Sequence, residues 1–176
     1  MPTDPYLTDV IEQFRKLKTL ADRAIAQISR DDFIRALDEE SNSIGMIIKH
    51  LAGNMRSRWT DFLTTDGEKS DRNRDFEFIV EAGETRESIL EQWEQGWHLL
   101  FEAIGPLSSQ DLGRLVLIRH EPHSVMQAIN RQLTHYAYHV GQIVFLAKHC
   151  AGAHWQSLSI PRGKSEEFSA EKQKKI

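Results

Sequence analysis

Two histidines one helical turn apart are the residues of this chain whose type and spacing most clearly indicate chemistry. His135 and His139 lie four positions apart within residues 124–149. Residues four apart on an α-helix lie nearly above one another, so the two imidazoles project from one face, roughly 5–6 Å apart. Two neutral imidazoles at this spacing are able to share one metal ion. The alternative is a pair of half-buried polar residues, each hydrogen-bonded to a neighbouring helix, and the pair alone leaves both interpretations open.

The segment that carries this pair is predicted to be one long helix. Ser124 and Gln127 match the capping-box pattern. Pro122 lies just outside the helix, where a proline does not interrupt the helical hydrogen bonds. Apolar residues recur every three or four positions and predict a buried stripe: Val125, Ile129, Leu133, Tyr136, Val140, Ile143 and Ala147. Beside it lies a polar stripe of Gln132, His135, His139 and Gln142. The two glutamines either orient the imidazoles from outside the site or make ordinary helix-to-helix hydrogen bonds.

Three further amphipathic segments complete an all-α fold. Residues 5–28, 44–63 and 86–104 each show the helical apolar period. Four such helices predict a four-helix bundle with long connections between helices 2 and 3 and between helices 3 and 4. The charged run 69–75 in the first connection is predicted to be a solvated face, and residues 115–118 in the second are β-prone but show no evident partner strand.

The length of 176 residues suits a single domain, which we place at residues 1–165, followed by a loose polar tail at 166–176. The net charge of −4 argues against a nucleic-acid partner. No apolar stretch approaches the ~20 residues of a membrane span, and the first residues lack a signal-peptide pattern. One cysteine, Cys150, excludes an internal disulfide and suits a reducing cytosol. The sequence therefore predicts a cytoplasmic protein without a membrane partner.

Other reactive side chains have simpler interpretations. His50 lies at the edge of the second helix's apolar stripe, where a lone histidine is more often a core-edge residue than a ligand. His120 and His123 precede the fourth helix and are predicted to be surface residues. Cys150 is more readily interpreted as a bystander thiol than as a nucleophile, which would need a lowered pKa. Tyr136 is predicted to be core, and Tyr138 to point away from the pair.

Four segments of the sequence resemble one known family. Residues 132–143, QLTHYAYHVGQI, are the most specific of them, and residues 43–51, 72–78 and 159–165 match as well. Together they resemble the DinB-like (DinB/YfiT) superfamily, in a branch described only as a domain of unknown function. The resemblance spans nearly the whole chain.

The resemblance implies a DinB/YfiT-type bundle with one divalent metal ion among three histidines. Zinc, nickel or another divalent ion that imidazoles bind would fit such a site, with zinc or nickel preferred. Carried over residue by residue, His50 matches the first ligand, and His135 and His139 match the other two. Relatives are often homodimers. Related branches include bacillithiol-type thiol transferases and a mycothiol-dependent maleylpyruvate isomerase.

Three functional hypotheses follow. Three imidazoles leave coordination positions open, which is typical of catalytic zinc and favours a transferase that activates a low-molecular-weight thiol toward an electrophilic substrate. The second is a non-enzymatic metal-binding or stress-response dimer that acts through a partner. The third is a bundle in which the histidines are only polar core residues. Metal-assisted hydrolysis is disfavoured, because no glutamate lies between His135 and His139 as it does in zinc proteases.

Overall fold

The computed structural model describes residues 4–173 and confirms the all-α class, with one small hairpin added. In chain order the elements of this part of the chain are α1 Pro5–Ile25, α2 Arg30–Ile34, α3 Ile44–Trp59, α4 Arg86–Ile104, β1 Leu115–Ile118, β2 Glu121–Ser124, α5 Val125–Ala151 and α6 Ser165–Gln173. None of these helices is long and apolar enough to cross a membrane.

The first turns of the long helices are capped by the side chains that precede them. Asp4 accepts hydrogen bonds from the first backbone amides of α1, and Ser43 does the same for α3. Thr85 opens α4 and Ser124 opens α5, each with a complete capping box. The far ends are less well predicted, because α1 and α3 end three and four residues before the predicted ends at residues 28 and 63.

The four long helices share one hydrophobic core. Helix α3 packs against α4 and α5, and α1 packs against α5 and α4. Aromatic rings from all four helices meet edge to face or tilted at its centre, among them Phe14, Trp59, Trp97 and Tyr136. The Tyr136 hydroxyl accepts a hydrogen bond from Trp59 Nε1 (3.0 Å) and donates one to Asn54 Oδ1 (3.1 Å). These bonds fix the register of α5 against α3, the two helices that carry the three candidate ligands.

The β-prone segment does have a partner. Strand β1 pairs with β2 in an antiparallel hairpin whose two turn residues, Arg119 and His120, both have positive φ. Such a turn normally uses Asn-Gly or Asp-Gly, so Arg-His gives no sequence signal. Asp66 compensates, because its carboxylate accepts hydrogen bonds from the backbone amides of Arg119 (2.9 Å) and His120 (2.7 Å).

The connection between α3 and α4 is ordered around buried charges. It contains a 3₁₀ turn at Asp75–Phe78, and the Arg72 side chain is only 2% exposed. The prediction of a solvated face at residues 69–75 is therefore wrong for Arg72. Further along the chain, α6 occupies most of the predicted loose tail, and its side chains from residue 165 to 170 are exposed.

Candidate metal centre

Three imidazoles from two helices converge on one point in the structure. One ring nitrogen from each of His50, His135 and His139 lies within 4.8 Å of the others. His50 Nε2 lies 3.3 Å from His135 Nε2, and the ring centroids of His135 and His139 are 4.7 Å apart. Helix α3 supplies the first ring and α5 supplies the other two. The expectation that these three side chains meet is thus met, including the His50 position that its own helix did not single out.

Burial keeps two of the three imidazoles, those of His135 and His139, neutral. Burial, together with the neighbouring His139 and His50, lowers the pKa of His135 to about 3. Burial also lowers the pKa of His139 to about 4, although its hydrogen bond with Gln142 acts in the opposite direction. Both imidazoles are therefore uncharged at pH 7. The neutral imidazole is the form that coordinates a metal ion.

Glu77 orients the His50 ring. Its Oε2 lies 2.9 Å from His50 Nδ1, and both side chains are buried. An ionised carboxylate only accepts hydrogen bonds, so Nδ1 carries a proton, and Nε2 is the ring nitrogen that faces His135. A carboxylate behind a ligating histidine is a recurrent feature of metal sites, where it fixes the tautomer and raises the basicity of the ligand.

Glu77 is itself held by a bidentate ion pair. Arg72 Nε donates to Oε1 (2.8 Å) and Nη2 donates to Oε2 (2.9 Å) of Glu77. Burial by itself raises the pKa of Glu77, but the hydrogen bonds from His50 and Arg72 and the charge of Arg72 outweigh it, so the pKa lies below its usual range. Glu77 is therefore ionised at neutral pH and accepts from both partners.

A glycine in α3 makes room for this carboxylate. A Cβ built on Gly53 would overlap Glu77 Oε1 and would lie 2.8 Å from its Cδ. No side chain fits here unless Glu77 moves. The sequence indicates at Gly53 only a locally weakened helix and a close approach of backbone or ligand, and it singles out neither Glu77 nor Arg72 as part of a metal site.

Gln142 orients the His139 ring. Its Oε1 accepts a hydrogen bond from His139 Nδ1 at 2.8 Å, which leaves Nε2 with the lone pair. Of the two interpretations left open for this glutamine, the structure supports the one that orients an imidazole. Gln132 differs, because its buried Oε1 has no hydrogen-bond partner within the described part of the chain.

Aromatic rings border the cluster. Phe78 stacks on His50 with ring centroids 4.8 Å apart, and the Tyr138 ring lies 4.0 Å from that of His139. The expectation that Tyr138 points away from the pair is wrong, whereas Tyr136 is fully buried as predicted. His120 is 95% exposed, which confirms its predicted surface position. His123 is half-buried on β2, where its Nδ1 lies 2.9 Å from the backbone oxygen of Glu121.

The donor set fits a divalent metal ion. Three imidazoles, two of them fixed by acceptors on their outer nitrogens, form the ligand type that zinc and nickel favour. No aspartate, glutamate or cysteine joins them in the cluster within residues 4–173. The set thus resembles a three-histidine site that keeps positions open.

A comparison with models of known protein families identifies the family of this chain. A model described as a protein of unknown function, DUF1572, matches residues 2–164. The chain belongs to the DUF1572 family. No curated protein matches it. The resemblance to a branch of unknown function is therefore confirmed at the level of this family, while membership of the DinB-like superfamily stays a prediction.

In this DUF1572 protein the three histidines open into a cavity of about 660 Å³. Its wall combines the imidazoles with polar and aromatic side chains and with five arginines: Arg58, Arg72, Arg74, Arg119 and Arg131. A cavity of this volume accommodates a small molecule next to the histidines. The buried polar cluster is thus accessible to a ligand.

Proposed function

We propose that this protein is a metal-dependent transferase on a DinB/YfiT-type four-helix bundle. His50, His135 and His139 hold one divalent ion, zinc or nickel, and the cavity admits a low-molecular-weight thiol and an electrophilic substrate. The observation that carries the proposal is the convergence of three imidazoles at a cavity large enough for both reactants. Bound there, the ion would supply Lewis-acid chemistry that lowers the pKa of a thiol to near neutrality.

The residues of the chain have separate roles in this proposal. Glu77 holds the Nδ1 proton of His50 and keeps that ring in one tautomer, and Arg72 keeps Glu77 in place. Gln142 does the same for His139. Phe78 and Tyr138 cover faces of the imidazoles and limit access of water. The buried oxygen of Gln132 at the cavity wall is an unused acceptor for a ligand donor.

The first test is the metal content of protein purified without a histidine tag. We expect about one zinc or nickel ion per chain by elemental analysis, and loss of that ion in His139→Ala. His154→Ala is the matched control, because His154 is exposed and remote from the cluster in sequence. Unchanged metal content in His139→Ala would remove the ligand assignment.

The second test addresses the reaction. Metal-loaded protein is incubated with a low-molecular-weight thiol and a panel of electrophiles, and conjugates are detected by mass spectrometry. We expect conjugation that is faster than with His139→Ala. Metal binding without any conjugation would reject the transferase and favour the non-enzymatic metal-binding dimer. The homodimer and the cytoplasmic location stay predictions.

A further inference from the structure

The arginines in the cavity wall carry more positive charge than the neighbouring carboxylates neutralise. Five arginines line it, and no aspartate or glutamate does so among the described residues. Behind the wall, Glu68 pairs with Arg58, Arg72 and Arg119, and Glu77 pairs with Arg72. Two carboxylates thus serve three guanidinium groups. The cavity therefore has an excess of positive charge even before a metal ion is added.

Two of the arginines have no carboxylate partner in the described part of the chain. Arg74 lies over the Phe78 ring, with Cζ 5.2 Å from the centroid, and Arg131 contacts His123 Nε2 at 3.4 Å. Both are exposed, and neither belongs to an ion pair within residues 4–173. Their fork of N–H donors is thus available for a planar anion such as a carboxylate or a phosphate.

The arrangement places these charges at a fixed position relative to the histidines. Arg74 lies over the Phe78 ring, and Phe78 stacks on His50, so the guanidinium group and the imidazole contact the same phenyl ring. Arg131 lies one helical turn before His135 on α5. The histidines form the deeper part of the cavity, with His50 only 4% and His139 only 5% exposed, while the two arginines lie at its open side.

We infer that the cavity selects a small anionic ligand, with Arg74 and Arg131 binding a carboxylate or phosphate group while the reactive end of the ligand reaches the histidines. This inference rests on the proposed function for the identity of that reactive end. The recognition of the anion itself depends only on the arginines. If the arginines bind an anion in this way, the thiol or the electrophile of the proposed reaction carries a negatively charged group.

A matched pair of thiols tests the inference. Binding of 3-mercaptopropionate and of the neutral 3-mercapto-1-propanol to zinc-loaded protein is measured by calorimetry. We expect the anion to bind about tenfold more tightly, since charge-assisted hydrogen bonds are roughly twice as strong as neutral ones. The double variant Arg74→Gln/Arg131→Gln should abolish this preference without changing the metal content. Arg23→Gln/Arg162→Gln, which removes the same charge from exposed positions, should preserve it.

Competition identifies the anion and separates this inference from the proposed function. Displacement of 3-mercaptopropionate by succinate or by inorganic phosphate supports anion recognition and tells the two groups apart, whereas failure of both overturns it. Chelated protein is then titrated with the better competitor. If the chelated protein binds this competitor, and the double variant Arg74→Gln/Arg131→Gln does not, the inference is upheld even without a metal ion. Equal affinity of metal-loaded protein for the two thiols overturns it, even if conjugation occurs.

Discussion

Oε2 of Glu77 lies 2.9 Å from Nδ1 of His50, and both side chains are buried, with the His50 ring lining the cavity. Arg72 donates two hydrogen bonds to the same carboxylate, so hydrogen bonds connect the guanidinium group, the carboxylate and the imidazole in one chain. The Nε2 atom of His50 is therefore fixed in direction before any ligand arrives. A site with a preset ligand direction loses little freedom on binding a metal ion.

Glu77→Gln should weaken metal binding by about 10- to 100-fold, the usual cost of losing a carboxylate behind a ligating histidine. The amide leaves the shape nearly unchanged but removes the negative charge that Arg72 and the His50 proton need. Competition with a chromophoric chelator measures the affinity. Glu81→Gln, at an exposed position of the same connection, should leave it unchanged. An unaltered affinity in Glu77→Gln would show that His50 does not depend on this carboxylate.

Gly53→Ala should weaken metal binding through the same carboxylate. Alanine normally stabilises a helix by up to about 1 kcal/mol relative to glycine. At Gly53, however, the new methyl group would overlap Glu77, which cannot swing away without breaking its bonds to Arg72 and His50. We therefore expect lower metal affinity and a lower free energy of unfolding, measured by chelator competition and urea denaturation.

Gly141→Ala is the matched control for this substitution. A Cβ at Gly141 meets no atom within 4 Å, and the position is exposed on α5. Here the helix propensity acts alone, so the free energy of unfolding should rise by about 0.5–1 kcal/mol. If Gly53→Ala and Gly141→Ala changed the free energy of unfolding and the metal affinity alike, Glu77 would be able to move away from the new methyl group without loss of stability.

The sequence predicts the half of the site that lies on one helix. His135 and His139 stand out because helical period and spacing are local properties, and the capping box at Ser124 marks where that helix begins. The remaining contributors are separated from the pair by long stretches of chain. Glu77 lies in an irregular connection, where no periodicity indicates which side chains point inward.

Two kinds of information were absent from the sequence. His50 needed the resemblance to a family, because one histidine beside an apolar stripe carries no metal signal of its own. The turn of the hairpin at Arg119 depends on Asp66, which lies more than fifty positions earlier. Side-chain support from so far along the chain leaves no local pattern. The charged run 69–75 likewise predicted a solvated face, because no local pattern indicates that the Arg72 side chain is buried against Glu77.

Removal of the metal should lower the thermal stability of the wild-type protein. A ligand at one hundred times its dissociation constant stabilises the folded state by about 2.7 kcal/mol. For a domain of this size this corresponds to a shift in Tm of about 5–10 °C. Differential scanning fluorimetry with zinc, and then with excess chelator, measures the shift. His139→Ala should show almost none, and an equal shift in that variant would place the ion elsewhere.

Tyr136→Phe should destabilise the protein by about 1–3 kcal/mol, because it leaves two buried groups without partners. The phenol hydroxyl accepts from Trp59 Nε1 and donates to Asn54 Oδ1, and all three side chains are buried. Its removal costs the desolvation of both groups, with almost no change in packed volume. Urea denaturation of chelated protein measures the effect without a contribution from metal.

Tyr138→Phe is the control for this last substitution, since the Tyr138 side chain is 57% exposed and water replaces any hydrogen bond of its hydroxyl. Its free energy of unfolding should stay within about 0.5 kcal/mol of wild type. If Tyr136→Phe were no more destabilising than Tyr138→Phe, the hydrogen bonds between α3 and α5 would not hold the two helices in register. The alignment of His50 with the pair on α5 would then depend on apolar packing alone.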